Sequence, residues 1–398
     1  MKADNINYKK VAILGPHDRM NYGDLLFPIM LDFAISKKAN KEITLSKYSI
    51  VNSDLTDKGA FASKNYKKLI SDINNNKINI IIIAGGESLG ATWARLYSFI
   101  NPIYSIIYEK TPFATSKYIY PIIKKILGAN SEFPFFINKK DFKQDVKVIY
   151  NSVGGVNYIN NVERIEDADY FAVRDSNGYA KIKNLSKKVY NYPDSAIIMS
   201  DIFSKDRLKK KLTEKNQLFT NYIFFQISEF KIQNEVSKTI EELFKILSNT
   251  NYNIVLCPIG TAKGHEDHII LNKIYLELKK TFENRLTLII QPSVEVIMGL
   301  IAFSQMYIGT SLHGVITAMS FGVKYMGLNP KQTKVYNYID TWSNLNVDHL
   351  IAPTYDFYKN FVNIIGEEDL SKLILESAVK QKEKYYESVD NIISIIGE

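Results

Sequence analysis

The chain has almost no cysteine and no long apolar run. Cys257 is the single cysteine among 398 residues, which excludes an internal disulfide framework and favours a reducing compartment. The opening residues, Met-Lys-Ala-Asp-Asn-Ile-Asn-Tyr, lack the apolar centre of a signal peptide. No stretch holds about 18 uninterrupted apolar residues, the length needed to cross a bilayer as a helix. We therefore expect a cytoplasmic protein without a membrane-spanning helix.

Several short motifs of common enzyme classes are also missing. The sequence contains no Walker A segment, no Gly-x-Gly-x-x-Gly, no Ser-His-Asp order and no nucleic-acid-binding motif. Residues 260–268, Gly-Thr-Ala-Lys-Gly-His-Glu-Asp-His, are rich in metal-ligand types, but consecutive residues cannot all reach one ion. We therefore expect no metal site. Asp267 is explained as a helix cap, while His265 stays a candidate for lining a cleft and binding substrate.

The composition is that of a soluble globular protein that binds anions. Hydrophobic residues make up 46% and charged residues 23% of a chain that is too long for one ordinary core, so two domains are expected. The net charge of +8 and the pI near 9.0 favour anionic partners. Without a nucleic-acid motif, phosphorylated metabolites and acidic lipid surfaces are the partners that fit.

Apolar strands alternate with amphipathic helices, which predicts parallel sheets covered on both faces. The predicted strands are 11–15, 43–51, 78–84, 146–153, 170–173, 188–192, 222–227, 253–257, 286–291, 306–308 and 324–328. The predicted helices are 24–37, 63–74, 235–248, 268–283, 294–302 and 367–388. This order indicates an α/β fold with two Rossmann-like domains facing across a cleft, where loops at the carboxyl ends of the strands meet.

The domain boundaries follow from breaks in this alternation. We predict a first Rossmann-like domain at 1–203, a basic interdomain segment at 204–220, a second Rossmann-like domain at 221–365, and a C-terminal helix at 366–398; the family resemblance described below implies that the first lies on the acceptor side and the second on the donor side. An aromatic-rich insertion at about 93–143 interrupts the first domain. It is either a helical hairpin packed on its own domain, or a cover for the acceptor site or a membrane contact.

Two loops at strand ends in the first domain carry candidate binding residues. After the first strand, Asn21 offers a donor and an acceptor, and Asp24 either caps the next helix or holds an acceptor hydroxyl. After the predicted strand 78–84, Gly85 and Gly86 let a ligand approach the backbone. Glu87 follows them and could hold sugar hydroxyls or act as a base.

Two further strand ends lie in the same domain. Ser152 and Gly154 belong to a Ser-Val-Gly-Gly turn that is either a substrate-binding loop or a packing turn. Arg174 ends the next strand, and its guanidinium suits a carboxylate or phosphate through two parallel hydrogen bonds. A surface ion pair with Asp175 is the alternative for Arg174.

A strand-to-helix turn in the second domain completes the set. The segment from Thr310 through Ser311 to Gly314 would aim free N–H groups and a helix dipole at one point, which suits an anion. His313 stands in the first helical turn, where an imidazole can exchange a proton with a bound anion. An ordinary capped turn with a surface histidine is the alternative.

These segments resemble, in order, the signatures of the polysaccharide pyruvyl transferase family. His313-Gly314 and Gly322 are similar to that family's Ser-x-Arg-x-His-Gly and following Gly-x-Pro, with Ser311 at the arginine position and Lys324 at the proline position. The other similar elements are Asn-x-Gly-Asp at 21–24, Gly-Gly-Gly at 85–87 with Glu87 as its last member, Val-Arg-Asp at 173–175, and Pro-Asp-x-Ala at 193–196, where Asp194 is interpreted as structural.

The resemblance implies transfer of pyruvate from phosphoenolpyruvate to two hydroxyls of a sugar in a surface or capsular polysaccharide precursor. It implies a fold similar to GT-B glycosyltransferases, and no cofactor beyond phosphoenolpyruvate as co-substrate. His313 would be the acid, Arg174 and the turn at 310–311 would bind the donor, and Asp24 or Glu87 would orient or deprotonate the acceptor. Lys263, Lys324 and Lys331 are candidates to replace the missing arginine.

Two alternatives remain open at this stage. One is a GT-B nucleotide-sugar glycosyltransferase that holds a diphosphate at the same helix N-terminus. The other is a non-catalytic sugar-binding protein. The expected partners are phosphoenolpyruvate and a free or lipid-linked saccharide, with peripheral contact at the inner face of the cytoplasmic membrane as a further expectation; the residues predict no particular oligomeric state.

Overall fold

A computed structural model describes residues 9–39, 43–111, 117–118, 120–128, 131–159, 161–232, 235–329, 331 and 333–397. The strands are β1 Lys9–Leu14, β2 Ile43–Ser49, β3 Ser53–Asp54, β4 Ala62–Asn65, β5 Ile80–Ile83, β6 Lys147–Val153, β7 Tyr170–Val173, β8 Val189–Asn191, β9 Tyr222–Gln226, β10 Asn253–Leu256, β11 Leu286–Leu288, β12 Met306–Gly309, β13 Lys324–Leu328 and β14 Ile351–Ala352.

The helices lie mainly between successive strands. They are α1 Tyr22–Lys38, α2 Tyr66–Asn74, α3 Trp93–Ile100, α4 Pro102–Lys110, α5 Tyr120–Leu127, α6 Glu163–Glu166, α7 Ser176–Ile182, α8 Met199–Ile202, α9 Lys205–Glu214, α10 Glu229–Ile232, α11 Val236–Asn249, α12 Asp267–Phe282, α13 Val294–Ala302, α14 Leu312–Phe321, α15 Thr333–Trp342, α16 Tyr358–Gly366 and α17 Leu370–Gly397.

Both sheets have the strand order of doubly wound α/β domains. The first has eight strands in the order β3-β4-β2-β1-β5-β6-β7-β8, and only the pairing of β3 with β4 is antiparallel. The second has six strands in the order β11-β10-β9-β12-β13-β14, with parallel pairing throughout. The order reverses between β1 and β5 in one sheet and between β9 and β12 in the other. Ligands bind at such switch points, beyond the carboxyl ends of the strands.

The predicted α/β architecture with two Rossmann-like sheets is confirmed, with local corrections. Residues 63–65 were predicted to start a helix, but they belong to β4, because the helix begins only after Asn65, whose side chain accepts a hydrogen bond from the Lys68 N–H. The C-terminal helix extends to Gly397, beyond the predicted end at 388. The helix Thr333–Trp342 was not predicted at all, although it lies beside the cleft.

The last helix, α17, leaves the second sheet and packs against the first. Its Tyr385 hydroxyl donates to Asn151 Oδ1 (3.3 Å), and the hydroxyls of Ser388 and Tyr170 lie 2.8 Å apart, so it crosses beneath β6 and β7. One hydrophobic core therefore includes residues of both sheets, the second of which contributes Phe224 and Ile308. The basic segment at 204–220 contains α9, whose buried Leu208 and Leu212 anchor it to this core.

The aromatic-rich insertion is helical where the structure describes it. α3 buries Trp93 and Leu96, and α4 and α5 pack on it. Part of the predicted insertion, residues 112–116, 119 and 129–130, lies outside the described residues. Among the described helices, none has the length and apolar character to cross a bilayer.

Candidate functional site

The carboxyl ends of the two sheets face each other across a cleft bridged by direct hydrogen bonds. The Tyr22 N–H donates to the Ile259 carbonyl (3.0 Å), and Asn21 forms an isolated bridge with Gly260. On the other side, the Trp342 indole N–H donates to the Arg174 carbonyl (2.8 Å). These contacts fix the positions of the loops after β1, β7 and β10 and of the end of α15 relative to one another. The two switch points therefore open into the same cleft.

His313 lies at the centre of this cleft, in the first turn of α14. The helix starts there because Ser311 has an extended backbone and its hydroxyl accepts a long hydrogen bond from the Gly314 N–H (3.5 Å). A methyl group placed on Gly23 would stand 1.9 Å from His313 Nδ1, so the imidazole lies directly against the backbone at the start of α1. The ring also meets Phe27 edge to face, with centroids 5.1 Å apart. The imidazole of His313, which belongs to the second domain, therefore packs against the first domain.

A buried carboxylate joins His313 to Arg174. Asp194 is fully buried, and its Oδ2 accepts from Arg174 Nη1 (3.2 Å) and lies 3.7 Å from His313 Nε2. The second contact is too long for a hydrogen bond, and Nε2 makes none with the described residues. Burial would raise the pKa of Asp194, but His313 and Arg174 outweigh it and the pKa is lowered. The three side chains form one charged unit.

Arg174 is correspondingly held in its charged form. Burial alone would lower the pKa of this guanidinium, but the carboxylates of Asp194 and Glu87, with Asp175, raise it. Its partner is Asp194, so the predicted alternative of a surface pair with Asp175 is wrong; Asp175 instead accepts from the Gly178 N–H as the cap of α7. The side chain of Arg174 also runs over Gly154, where an added methyl group would stand 2.8 Å from Nη2.

Asp24 flanks His313 from the first domain. Its Oδ2 accepts from Asn21 Nδ2 (2.7 Å), and its backbone carbonyl lies 3.0 Å from His17 Nδ1. Burial raises the pKa of Asp24 from 3.8 to about 6, and the neighbouring charges of His313 and Arg19 only partly offset this. A carboxyl group with this pKa can accept a proton near neutral pH. His313 thus stands between the partly buried carboxylate of Asp24 and the fully buried carboxylate of Asp194.

Glu87 and the two glycines before it lie beside Asp24, on the first-domain side of the cleft. Gly85 and Gly86 have positive φ angles of 137° and 77°, and their backbone lies on the Phe27 ring, which leaves no room for side chains. Glu87 Oε2 lies 3.5 Å from Lys334 Nζ. Burial would raise the pKa of Glu87, but Lys334, Arg174 and Lys231 outweigh this and the pKa is lowered. Glu87 is thus an ionised group that faces cations of both sheets.

Lys231 and Lys334 were missed by the sequence analysis, as was the central position of Asp194. Lys231 Nζ donates to the Thr310 carbonyl (2.8 Å) from the loop after β9, at the second switch point. Nothing in the sequence distinguishes these lysines among the 50 lysines and arginines. Lys324, one of the three candidates to replace the arginine absent at 311, is on the far side, where it donates to the Ile365 carbonyl (2.7 Å).

Two of the remaining predicted site residues contribute differently. Ser152 is buried with φ at 49°, and its hydroxyl has no hydrogen-bond partner among the described residues. His265 lies beside the α3 side chain Phe99, ring centroids 6.3 Å apart, and burial lowers its pKa to about 4. A neutral His265 at this contact holds the insertion against the second domain. Among the described residues, no cluster of histidine, cysteine, aspartate or glutamate side chains could hold a metal ion.

The arrangement of the two sheets is that of GT-B glycosyltransferases and related epimerases. Staphylococcus aureus MnaA with UDP aligns over 95% of this chain and 92% of its own, with a TM-score of 0.54 and 11% identity. The UDP-GlcNAc 2-epimerase of Methanocaldococcus jannaschii, with UDP-GlcNAc and UDP, covers 90% and 93%, with a TM-score of 0.55 and 12% identity. A glycosyltransferase from Rickettsia africae covers 98% and 99%, with a TM-score of 0.54 and 10% identity.

These likenesses define the fold alone, and the family comes from the sequence. The profile of the polysaccharide pyruvyl transferases matches residues 134–332, half of the chain. The chain belongs to the polysaccharide pyruvyl transferase family, as its motifs predicted. The matched span includes Arg174, Asp194 and His313, whereas Asp24 and Glu87 lie outside it. No curated protein sequence matches the chain.

Proposed function

We propose that this protein transfers the pyruvyl group of phosphoenolpyruvate to two hydroxyls of a sugar in a surface or capsular polysaccharide precursor, and releases phosphate. Membership of the family supports pyruvyl transfer in polysaccharide biosynthesis. The observation that carries the finer proposal is the convergence of Arg174 and His313 on one oxygen of Asp194, 3.2 and 3.7 Å away, inside the cleft. The donor is a small polyanion, and this unit places fixed positive charge beside a proton donor.

The reaction requires a proton at carbon and a nucleophile at the adjacent carbon. His313 protonates the methylene carbon of phosphoenolpyruvate, which gives the carbon bearing the carboxylate oxocarbenium character. One sugar hydroxyl attacks that carbon, the bond to the phosphate oxygen breaks, and a second hydroxyl closes the ketal. Of the two hydroxyl protons, one balances the proton delivered to the new methyl group and the other leaves with phosphate.

Asp24 serves as the base in this scheme. Its pKa of about 6 leaves it mostly ionised at neutral pH, yet basic enough to accept the proton of an acceptor hydroxyl. The charge of His313 acts on Asp24 across the cleft, and in this scheme the carboxylate returns its proton to the imidazole between turnovers. Glu87 and the backbone of Gly85 and Gly86 bind the acceptor on the same side of the cleft. Gly154 leaves room for the Arg174 guanidinium to lie against its backbone.

The test is acceptor-dependent release of phosphate from phosphoenolpyruvate by the purified protein, followed in a coupled colorimetric assay. Oligosaccharides and lipid-linked saccharides with two neighbouring free hydroxyls serve as acceptors. His313→Ala should reduce turnover at least about 100-fold, the usual contribution of a general acid. His349→Ala is the matched control, because His349 lies outside the cleft, 3.4 Å from Glu367.

The same assay separates the competing activities. Release of UDP, GDP or CMP from a nucleotide sugar would identify a glycosyltransferase, and acceptor binding without turnover of any donor would identify a sugar-binding protein. Wild-type phosphate release by His313→Ala would remove the proposed acid. A ketal bridging two oxygens in the product, seen by mass spectrometry and NMR, is the expected outcome.

We further propose that the protein works in the cytoplasm at the membrane surface, on a lipid-linked acceptor. The described parts of the insertion expose large apolar side chains next to cations. The exposed apolar residues are Ile103 (73%), Ile106 (55%), Tyr118 (67%), Ile122 (60%) and Ile126 (50%). The neighbouring cations are Lys110, Lys117, Lys124 and Lys125, with Glu109 as the opposing charge. Exposed apolar groups in a lysine-rich segment fit an anionic bilayer surface.

Vesicle sedimentation tests this contact. The protein should sediment with vesicles containing phosphatidylglycerol but not with phosphatidylcholine alone, and Ile103→Glu/Ile122→Glu should lose this binding. Leu276→Glu is the matched control, because Leu276 is 56% exposed on α12 of the other domain. Equal binding by the double variant, or concentration-dependent dimerisation through this face in light scattering, would contradict the membrane contact.

A further inference from the structure

Two lysines meet at the switch point of the second sheet, where the family motif lacks its arginine. Lys231 belongs to the short helix α10 in the loop after β9. Its Nζ donates to the Thr310 carbonyl (2.8 Å), and its own carbonyl accepts from Asn329 Nδ2 (2.6 Å). The side chain therefore spans from β9 to the turn that starts α14, and its backbone is fixed by the loop after β13.

Lys334 approaches the same place from α15. Its ammonium lies 3.5 Å from Glu87 Oε2 of the first domain, with about a third of the side chain exposed. The charge of Lys334 also acts on Asp24 and His265, one in each domain. The loop after β13 holds the backbone of Lys231 through Asn329 and leads into α15, which carries Lys334.

The two ammonium groups repel each other. Burial first, and then the charge of Lys334, lower the pKa of Lys231 to about 7, while Asp267 and Glu87 counteract this only in part. Bringing two cations together in a partly desolvated cleft costs free energy in the empty protein. An anion bound between them would remove that cost, and the N-terminus of α14 adds partial positive charge on the same side.

We propose that Lys231 and Lys334 form the subsite that binds the phosphate of the donor, in place of an arginine at position 311. A phosphate dianion carries two negative charges, one for each ammonium group, and offers an oxygen to each. The guanidinium of Arg174, in the first domain, instead suits the planar carboxylate of the donor. Naming the donor rests on the proposed function, but the subsite itself can be measured without turnover.

Calorimetric titration of the protein with inorganic phosphate, phosphoenolpyruvate and pyruvate at pH 7 tests the subsite. Lys231→Met, which keeps the apolar part of the side chain, should weaken binding of phosphate and of phosphoenolpyruvate about 10-fold or more, the usual cost of a lost charged hydrogen bond. Lys334→Met should weaken both several-fold. Pyruvate, which has no phosphate, should bind both variants as it binds wild type.

Lys273→Met is the matched control, because Lys273 pairs with Glu229 (3.2 Å) on the outer side of the same short helix. It removes the same charge and should leave all three affinities unchanged. Part of the phosphate loses a proton when it binds as the dianion, in wild type and variant alike. Wild type should therefore take up about half a proton more than Lys231→Met at pH 7, seen as a difference in how the heat depends on the buffer, because the bound anion recharges Lys231.

The outcomes separate the two proposals. Unchanged phosphate affinity in both variants, no phosphate binding by wild type, or an equal loss of pyruvate binding would overturn the subsite. Should Lys231→Met fail to fold, the exposed Lys334→Met decides. Lysine-dependent phosphate binding without any acceptor-dependent turnover would leave the subsite intact and refute the proposed function alone.

Discussion

Replacing Asp24 with asparagine should make the protein more stable and inactive. Burial raises the pKa of this carboxyl from 3.8 to about 6. A raised pKa in the folded state means that the ionised carboxylate opposes folding above pH 6, and that the penalty disappears below pH 3.8. A shift of about two units corresponds to about 3 kcal/mol. Asparagine carries no charge, and its amide oxygen can still accept the hydrogen bond from Asn21.

The size of the gain should depend on pH. Asp24→Asn should raise the free energy of unfolding by about 3 kcal/mol at pH 7.5, where wild type carries the full penalty, and by about 1 kcal/mol at pH 4.5. Urea unfolding followed by tryptophan fluorescence at the two pH values measures both gains. Each domain has a reporter, since Trp93 lies in α3 and Trp342 in α15.

Turnover completes the test. Wild-type phosphate release should increase as the pH rises through about 6, because the base must be ionised, and Asp24→Asn should lose about 100-fold or more in kcat with no such rise. A variant that is no more stable than wild type at pH 7.5, or whose free energy of unfolding rises equally at both pH values, would refute the conclusion that the ionised Asp24 carboxylate destabilises the folded protein. A fully active variant would refute its role as base.

Two further substitutions test the geometry of the site. Gly23→Ala should displace His313, because the new methyl group would stand 1.9 Å from Nδ1. It should reduce kcat about 100-fold with a small change in melting temperature. Gly366→Ala is the control, because a methyl group there would meet nothing within 4 Å, and unchanged kcat in Gly23→Ala would show that the ring position is not critical. Asp194→Asn should lower the free energy of unfolding by about 3–5 kcal/mol, because it leaves the buried charge of Arg174 without its counter-ion. Chemical denaturation measures this free energy. A decrease of less than about 1 kcal/mol would mean that solvent reaches the guanidinium.

The fold could be predicted because its signals are local. Continuous apolar runs such as Ile80–Ile83 can only be buried strands, and the helices between them impose parallel pairing. Arg174 and His313 could be found for the same reason, since Arg174 directly follows a strand and His313 lies in the strand-to-helix turn after another. Asp194 was interpreted as structural, as part of a Pro-Asp-x-Ala turn. One oxygen does cap, accepting from the Ala196 N–H (3.0 Å), while the other holds Arg174.

The lysines could not be found in this way. Lys231 and Lys334 become neighbours only when the loop after β9 and an unpredicted helix are placed over the same turn, which depends on tertiary packing. The pairing of Lys334 with Glu87 links residues 247 positions apart. Charge is abundant in this sequence, and a residue type that is common on the surface gives no local sign of a role in the cleft.

The path of α17 constrains how the chain folds as it leaves the ribosome. The hydroxyls of Tyr170 and Ser388 that pair beneath the first sheet are 218 positions apart. α1 covers part of the same face, but until α17 has emerged the area over β6 and β7 stays uncovered. The half that is translated first is therefore expected to be completed last. Expressing residues 1–203 alone should accordingly yield an aggregating fragment, and adding a peptide of residues 370–397 in trans should restore its solubility.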